Sequence, residues 1–150
     1  MMRTNVDSCF FLCRSFSKAL RASKGAVVNV ASAAGLRSSG TGTIYAMTKG
    51  AMVQFTRTLA CEWARAGVRV NCVAPWMTMT PLLRDAVAKD PTQIASAIDG
   101  TPMGRLAEPE ETAAAVAFLC LPASAYVTGQ VLAVDGGIAA QGFNGPCNTR

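Results

Sequence analysis

The chain contains no histidine, and charged and aromatic residues make up only 15% and 7% of its 150 residues. Without histidine, a serine or cysteine nucleophile has no imidazole base to activate it, and zinc sites of mixed cysteine and histidine are excluded. The six cysteines, at positions 9, 13, 61, 72, 120 and 147, form no CxxC pair. We therefore expect no metal site, and we expect reduced thiols in a reducing, cytoplasmic location.

Long hydrophobic runs are also missing, although 51% of the residues are hydrophobic. No stretch is long enough to cross a bilayer, so we expect no membrane partner. The composition is that of a folded chain with a substantial core, and the length predicts one domain. We place that domain at residues 1–143 and expect a loose tail over residues 144–150.

The net charge is +5, and the only helical stripe of basic residues consists of Arg14, Lys18, Arg21 and Lys24. Such a stripe is typical of a solvated helix face. Nucleic-acid binding is the weaker alternative, because no aromatic interleaving or known binding motif accompanies the stripe. We therefore expect no nucleic-acid partner.

The spacing of hydrophobic residues predicts helices that alternate with strands. Apolar residues three and four apart predict a helix over residues 3–22, and β-branched runs predict buried strands over 26–32 and 68–75, joined by a helix over 43–66. The other predicted elements are a loop over 33–43, helical patches around 82–88 and 94–98 within an irregular segment 76–107, a helix from Glu108-Pro109 to Cys120, and a third strand over 130–137. This order predicts an open α/β sheet of parallel strands, with ligands at their carboxyl ends. The segment 76–107 is either a lid over that site or an ordinary surface excursion.

Three side chains around the first predicted strand suit proton transfer. Tyr45 and Lys49 are four residues apart, so on a helix they share one face, and Ser32 ends the preceding strand. A phenol has a pKa of about 10, and a neighbouring ammonium group lowers that pKa towards the range of a general acid or base. Ser32 could hydrogen-bond a substrate oxygen as charge develops on it. The YxxxK spacing by itself is more often a chance pairing on an exposed helix face.

Six segments, in order, carry a resemblance to a known family. They are TNVDSCFFLCR around Asn5, VVNVASAAG around Ser32, YAMTKGAM, LACEWARAGVRVNCVAPW, TPMGRLAEPEE and FLCLPASAYVTGQVLAVDGG. Together they make residues 1–143 similar to the short-chain dehydrogenase/reductases, and closely to the tropinone-reductase-like branch. The resemblance implies a Rossmann-like, doubly wound parallel sheet. It also implies an NADP(H)-dependent oxidoreductase, with NAD(H) not excluded, that interconverts a small ketone and its secondary alcohol.

The resemblance further implies a role for each matching residue. Tyr45 is expected to donate the proton in reduction, Lys49 to lower its pKa and hold the nicotinamide ribose, and Ser32 to orient the substrate oxygen. Asn5 is expected to hold a water in the proton relay. The remaining expected contacts are Pro75, Thr78, Met79 and Thr80 with the cofactor, together with Tyr45 and Lys49, and Trp76 with the substrate. Helices 3–22 and 43–66 are expected to form the interface of a homodimer or homotetramer.

Two features depart from the family pattern. Trp76 stands where the family usually has glycine after Pro75, so its indole is either an aromatic wall of the substrate pocket or part of the core under the lid. The family's first strands and glycine-rich phosphate turn have no counterpart, since GTG at residues 40–42 lacks their setting. We therefore expect an N-terminally truncated domain of three strands and flanking helices, marginally stable alone or dependent on self-association. The rival to the oxidoreductase is thus a truncated, catalytically inactive fragment or pseudoenzyme that retains the dimerisation helices.

Overall fold

The computed structural model describes residues 1–142, apart from the side chain of Gln93. Its helices are α1 (Ser8–Ser23), preceded by a π-helical turn at Arg3–Asp7, α2 (Thr43–Trp63), α3 (Pro81–Lys89), α4 (Ala95–Gly100) and α5 (Pro109–Cys120). The strands are β1 (Ala26–Val30), β2 (Arg69–Pro75) and β3 (Val131–Val134). The expected loose tail at 144–150 lies outside the described residues.

The three strands form one parallel sheet in the order β1-β2-β3. Ala26 of β1 pairs with Arg69 of β2, and Cys72 of β2 pairs with Val131 of β3. The connection from β1 to β2 runs through α2, because parallel neighbours need a crossover long enough to return to the same end of the sheet. The predicted order of elements and the parallel α/β sheet are confirmed.

Helices cover both faces of β2, since successive strand residues point to opposite faces. On one face, Val70 and Cys72 pack in clusters with α2 side chains such as Leu59 and Met52. On the other face, Arg69 donates from Nη1 to the carbonyl of Leu119 near the end of α5, at 2.7 Å. Each aliphatic side chain buried in this way contributes about 1.5–3 kcal/mol relative to exposure, so the centre of the sheet is also the centre of the core.

The first strand is less buried than its sequence predicts. Val27 and Val28 are only partly buried, and Val30 is 47% exposed. Within residues 1–142, β1 pairs on one edge only, with β2. The expectation of a strand buried on both faces is therefore wrong for β1, although it holds for β2, whose residues from Val70 to Ala74 are all buried.

The segment between β2 and α5 is more helical than an irregular excursion. It contains α3, a 3-10 turn at Pro91–Ile94, and α4, in agreement with the two predicted helical patches. The start of α5 is closed by Glu108 and Glu111, since Glu111 Oε2 accepts from Glu108 N at 2.8 Å and Glu111 N donates to Glu108 O at 3.1 Å. Arg105 donates two further hydrogen bonds of 2.7 Å to Glu111, and this guanidinium holds the pKa of Glu111 at about 2.

Five of the cysteines lie within the described residues, and all five are free thiols. Cys61 and Cys120 are exposed, whereas Cys13 and Cys72 are buried. Burial raises the pKa of the Cys13 thiol to about 11. As for membrane spans, no helix within residues 1–142 combines the length and the apolar character needed to cross a bilayer.

Candidate active site

Ser32 lies just beyond the carboxyl end of β1. The strand continues its pairing for one residue, because Ala31 N donates to Val73 O at 2.8 Å. Ser32 then caps a 3-10 turn at Ala33–Gly35, and its Oγ accepts from Ala34 N at 3.2 Å. Its hydroxyl proton makes no bond with another of residues 1–142, so the proton remains available to an oxygen bound at this edge of the sheet.

Tyr45 and Lys49 lie one turn apart near the start of α2, as their spacing predicts. Both side chains are half-buried. The Lys49 Nζ lies 5.7 Å from the centroid of the Tyr45 ring and donates to Val30 O at 3.0 Å. The ammonium group therefore bonds the last residue of β1, two residues before Ser32, and lies over the ring of Tyr45.

A close backbone contact holds the Ser32 turn against α2. A Cβ atom built on Gly35 would lie 2.7 Å from the carbonyl carbon of Lys49 and 2.8 Å from its oxygen. Real side chains essentially never come that near, so only glycine allows the turn to approach the helix at this level. The approach of the Ser32 turn to the backbone of α2 at Lys49 thus depends on the glycine at position 35.

Asn5 reaches the same part of α2 from the π-helical turn before α1. Its Nδ2 donates to Thr48 Oγ1 at 2.9 Å, and Thr48 Oγ1 donates to Tyr45 O at 2.8 Å. The structure therefore brings Asn5, Ser32, Tyr45 and Lys49 to one edge of the sheet, at the carboxyl end of β1. Their individual catalytic roles stay predictions.

Trp76, directly after β2, lines a cleft that is separate from the side chains of Ser32, Tyr45 and Lys49. Its backbone N–H donates to Val134 O and its indole Nε1 donates to Thr101 Oγ1, both at 3.1 Å. The indole lines a cleft of about 300 Å³ together with Met77, Met103 and other residues near the end of β3. Ser32, Tyr45 and Lys49 do not line this cleft. Substrate binding by Trp76 stays a prediction, and the bond from its indole to Thr101, at the end of α4, accounts for its position.

The expected cofactor segment after Pro75 is held by a second piece of chain. Thr78 forms an isolated bridge with Ala107, and Met79 N donates to Ala107 O at 2.8 Å. Thr80 caps α3 by accepting from Leu83 N at 3.3 Å. Pro75 itself ends β2 beside this segment. The backbone of residues 77–80 is therefore fixed in place, and cofactor contacts by these residues stay a prediction.

The structure adds Gly35, Thr48 and Arg37 to the residues that the sequence predicts for the site. Arg37 donates from Nη1 to Ile138 O and so ties the loop after Ser32 to the chain beyond β3. The run of small residues Ala33-Ala34-Gly35 was a usable signal, because such residues mark close approach of backbones. No local pattern links Asn5 to Thr48, which are 43 residues apart.

Comparisons with known proteins show the family of the chain. A family model described as enoyl-(acyl carrier protein) reductase matches residues 1–139. A tropinone reductase homolog of Arabidopsis thaliana is 48% identical over 145 residues, which are 96% of this chain and 54% of the relative. Senescence-associated protein 13 of the same plant is 45% identical over 145 residues, covering 96% and 53% of the two chains. The chain thus spans about half the length of the curated relatives it matches.

Solved structures give the same result. The gluconate 5-dehydrogenase from Burkholderia cenocepacia J2315, in complex with NADP and tartrate, superposes with a TM-score of 0.85 at 33% identity, over 93% of this chain and 55% of that one. ElxO with NADP bound superposes with a TM-score of 0.87 at 29% identity, over 91% and 56%. The family model matches most of the chain, and the motifs of the sequence lie on the expected elements. This chain therefore belongs to the short-chain dehydrogenase/reductase family, as a tropinone-reductase-like member.

Proposed function

We propose that this chain carries the catalytic side chains of an NADP(H)-dependent oxidoreductase that interconverts a small ketone and its secondary alcohol. The observation that carries the proposal is the Lys49 ammonium group, which lies near the Tyr45 ring and bonds the last residue of β1. Ser32 follows that residue with a hydroxyl proton free for a ligand. A proton donor, a cation and a second donor therefore lie together where parallel α/β sheets bind their ligands.

The donor set fits a nicotinamide cofactor. An ammonium group has three protons, and Lys49 uses one on Val30 O, which leaves two for the ribose hydroxyls. Thr78 donates its hydroxyl proton to Trp76 O at 3.2 Å, so its oxygen remains an acceptor for the cofactor's carboxamide N–H. When bound, NADP(H) would supply or accept the hydride. We propose NADP(H) because similar solved structures hold it, and NAD(H) is the alternative, since one similar 3-oxoacyl-[acyl-carrier protein] reductase holds NAD.

The chain's own residues would manage the proton. In reduction, the Tyr45 hydroxyl donates its proton to the substrate oxygen, and Ser32 Oγ donates a hydrogen bond to that same oxygen as negative charge develops there. In oxidation, the tyrosine oxygen accepts the proton back from the alcohol.

The first test compares the two tyrosines of the chain. Tyr45→Phe removes the proposed proton donor, and we expect it to abolish the oxidation of NADPH by tropinone and by a panel of small ketones, measured at 340 nm. Tyr126→Phe is the matched control, because Tyr126 is fully exposed on a loop away from the site and should leave turnover unchanged. Turnover retained by Tyr45→Phe would refute the proposed role of Tyr45.

A non-catalytic role is the second candidate, because of the apolar surface of α1. The α1 side chains of Phe10, Phe11 and Phe16 are half exposed. These rings favour association of copies through α1 and α2, as a homodimer or homotetramer. Failure to bind NADPH at millimolar concentration in a fluorescence titration, with concentration-dependent association in sedimentation velocity, would favour this candidate.

A further inference from the structure

We propose that Trp76 is a positioning residue for residues 77–80, the cofactor segment, and that it acts through the hydrogen bond from its indole to Thr101. The inference rests on the proposed function, because that function assigns cofactor contacts to this segment. Trp76 lies between the end of β2 and the segment, and Thr101 directly follows α4, 25 residues further along the chain. The bond therefore ties the start of the cofactor segment to a distant part of the chain.

The Thr101 end of this bond is fixed in place. Thr101 is 3% exposed, and its Oγ1 donates to Ala97 O at 2.6 Å. A hydroxyl has one proton, so this oxygen can only accept from the indole N–H, whose nitrogen lies 3.1 Å away. The Thr101 methyl group packs against Gly136, where a Cβ atom would lie 2.6 Å from Cγ2. Thr101 is thus held against the turn after β3, and it can anchor the indole.

The backbone of Trp76 passes this constraint to the cofactor segment. Its N–H donates to Val134 O at 3.1 Å, and its C=O accepts the hydroxyl proton of Thr78 at 3.2 Å. With that proton committed, Thr78 Oγ1 presents its lone pairs to a ligand. A rotation of the Trp76 backbone would move the carbonyl and turn the Thr78 hydroxyl with it. The anchored indole opposes that rotation.

A second set of bonds holds the middle of the cofactor segment. Ala107 N donates to Met77 O at 3.2 Å, and Met79 N donates to Ala107 O at 2.8 Å. Thr101 and Ala107 both belong to the stretch of chain between α4 and α5. The segment is therefore bonded to this stretch twice, once by the indole and once by its own backbone. Loss of the indole bond should loosen the segment without detaching it.

Two substitutions remove the same bond from opposite ends. Trp76→Phe keeps an aromatic ring without the N–H, and Thr101→Val keeps the shape of threonine without the oxygen. We expect each to raise the Kd for NADPH, measured from the fluorescence of the bound nucleotide, by about 2- to 10-fold, the range of one hydrogen bond. The double variant should bind NADPH like either single variant, because the bond can be lost only once. Thr101→Ser keeps the oxygen and should restore wild-type binding.

Steady-state kinetics separate this role from a general loss of structure. Trp76→Phe and Thr101→Val should raise KM for NADPH and leave kcat within about twofold, since binding is weakened and the proton chemistry is intact. Trp63→Phe is the matched control, because Trp63 is the other tryptophan and lies on α2 with Arg21 over its ring, so its Kd for NADPH should not change. An unchanged Kd in both variants, or effects that multiply in the double variant, would overturn the proposal. If Trp76→Phe does not fold, Thr101→Val decides.

A further measurement does not depend on the cofactor. The amide proton of Met79, bonded to Ala107 O, should exchange with solvent about 2- to 10-fold faster in Thr101→Val, as followed by NMR, because the anchor of its segment is lost. Its rate is compared with that of Cys72 N, which donates to Gln130 O at 2.9 Å within the sheet, so that any general destabilisation cancels. An unchanged ratio would overturn the proposal. If the wild-type chain binds no NADPH, the proposed function fails, and this ratio alone decides whether the anchor exists.

Failure of this inference has a different signature from failure of the proposed function. If the wild-type chain binds NADPH and both variants bind it equally well, the proposed function stands and the role of Trp76 is refuted.

Discussion

Two glycines that lie on either side of the contact between the Ser32 turn and α2 should respond to the same substitution with opposite signs. Gly35 lies on the turn after Ser32, and Gly50 lies within α2 beside Lys49. Replacing glycine by alanine generally stabilises a protein by about 0.4–1 kcal/mol where the backbone permits it, because the unfolded chain loses freedom. Contacts made by the new methyl group in the folded state therefore decide the sign.

At Gly35 the new methyl group would clash with the backbone of α2. Its Cβ would lie 2.7 and 2.8 Å from the carbonyl carbon and oxygen of Lys49, and 3.0 Å from Gly50 N. All three are backbone atoms of a helix, so none can rotate aside as a side chain would. Forcing one extra carbon into such a contact costs about 1–3 kcal/mol. After the entropic gain is subtracted, we expect Gly35→Ala to destabilise the chain by about 1–2 kcal/mol.

At Gly50 the same methyl group meets only Gly35 O, at an ordinary contact distance of 3.8 Å. Glycine within a helix is unfavourable by about 0.5–1 kcal/mol relative to alanine. We therefore expect Gly50→Ala to stabilise the chain by up to that amount. Gly50→Ala is the matched control, because it changes the same contact from the opposite side.

Urea unfolding followed by far-UV circular dichroism measures both effects. The midpoint should fall for Gly35→Ala and rise for Gly50→Ala, with an unchanged slope. In thermal unfolding, each kcal/mol corresponds to about 2–4 °C for a domain of this size. Because the contact lies at Lys49, Gly35→Ala should also weaken NADPH binding. A stabilising effect of Gly35→Ala would refute the reasoning, since it would mean that the Ser32 turn does not contact α2.

Two further predictions concern ionisable groups away from the site. The pKa of Glu111 is lowered to about 2 by Arg105 and by the Glu108 backbone, so its stabilising effect should be complete above about pH 5 and disappear as the pH falls towards 2. The difference in urea midpoint between wild type and Glu111→Gln should shrink over that range, whereas a difference independent of pH would contradict the ion pair. For the thiols, Cys61 and Cys120 should react at once with a disulfide reagent at neutral pH, whereas the buried Cys13 and Cys72 should react only on unfolding. Rapid labelling of Cys72 in the folded chain, identified by mass spectrometry, would contradict its place in the core.

Features that depend on neighbours along the chain could be predicted from the sequence. Helical geometry places Tyr45 and Lys49 on one face wherever the helix lies, and the Glu108-Pro109 start of α5 follows from local capping chemistry. The parallel sheet also follows, because strands separated by a helix can return to the same end only as parallel neighbours. The position of Ser32 at the carboxyl edge of the sheet could also be predicted, because the carboxyl ends of parallel strands meet at one edge.

Contacts between residues that are far apart in the chain follow only from the packing of the elements. The hydrogen bonds from Asn5 to Thr48 and from Trp76 to Thr101 depend on how the elements pack, and no periodicity in the sequence encodes that packing. The exposure of β1 likewise depends on which elements lie beside it, and not on its own β-branched residues. In the sequence, Gly35 is one of several small residues in a loop. Its importance is visible only in the structure, where α2 lies at contact distance from it. The spacing of residues in the sequence therefore predicts which chemical groups form the site. The distances between these groups and the orientations of their side chains depend on packing.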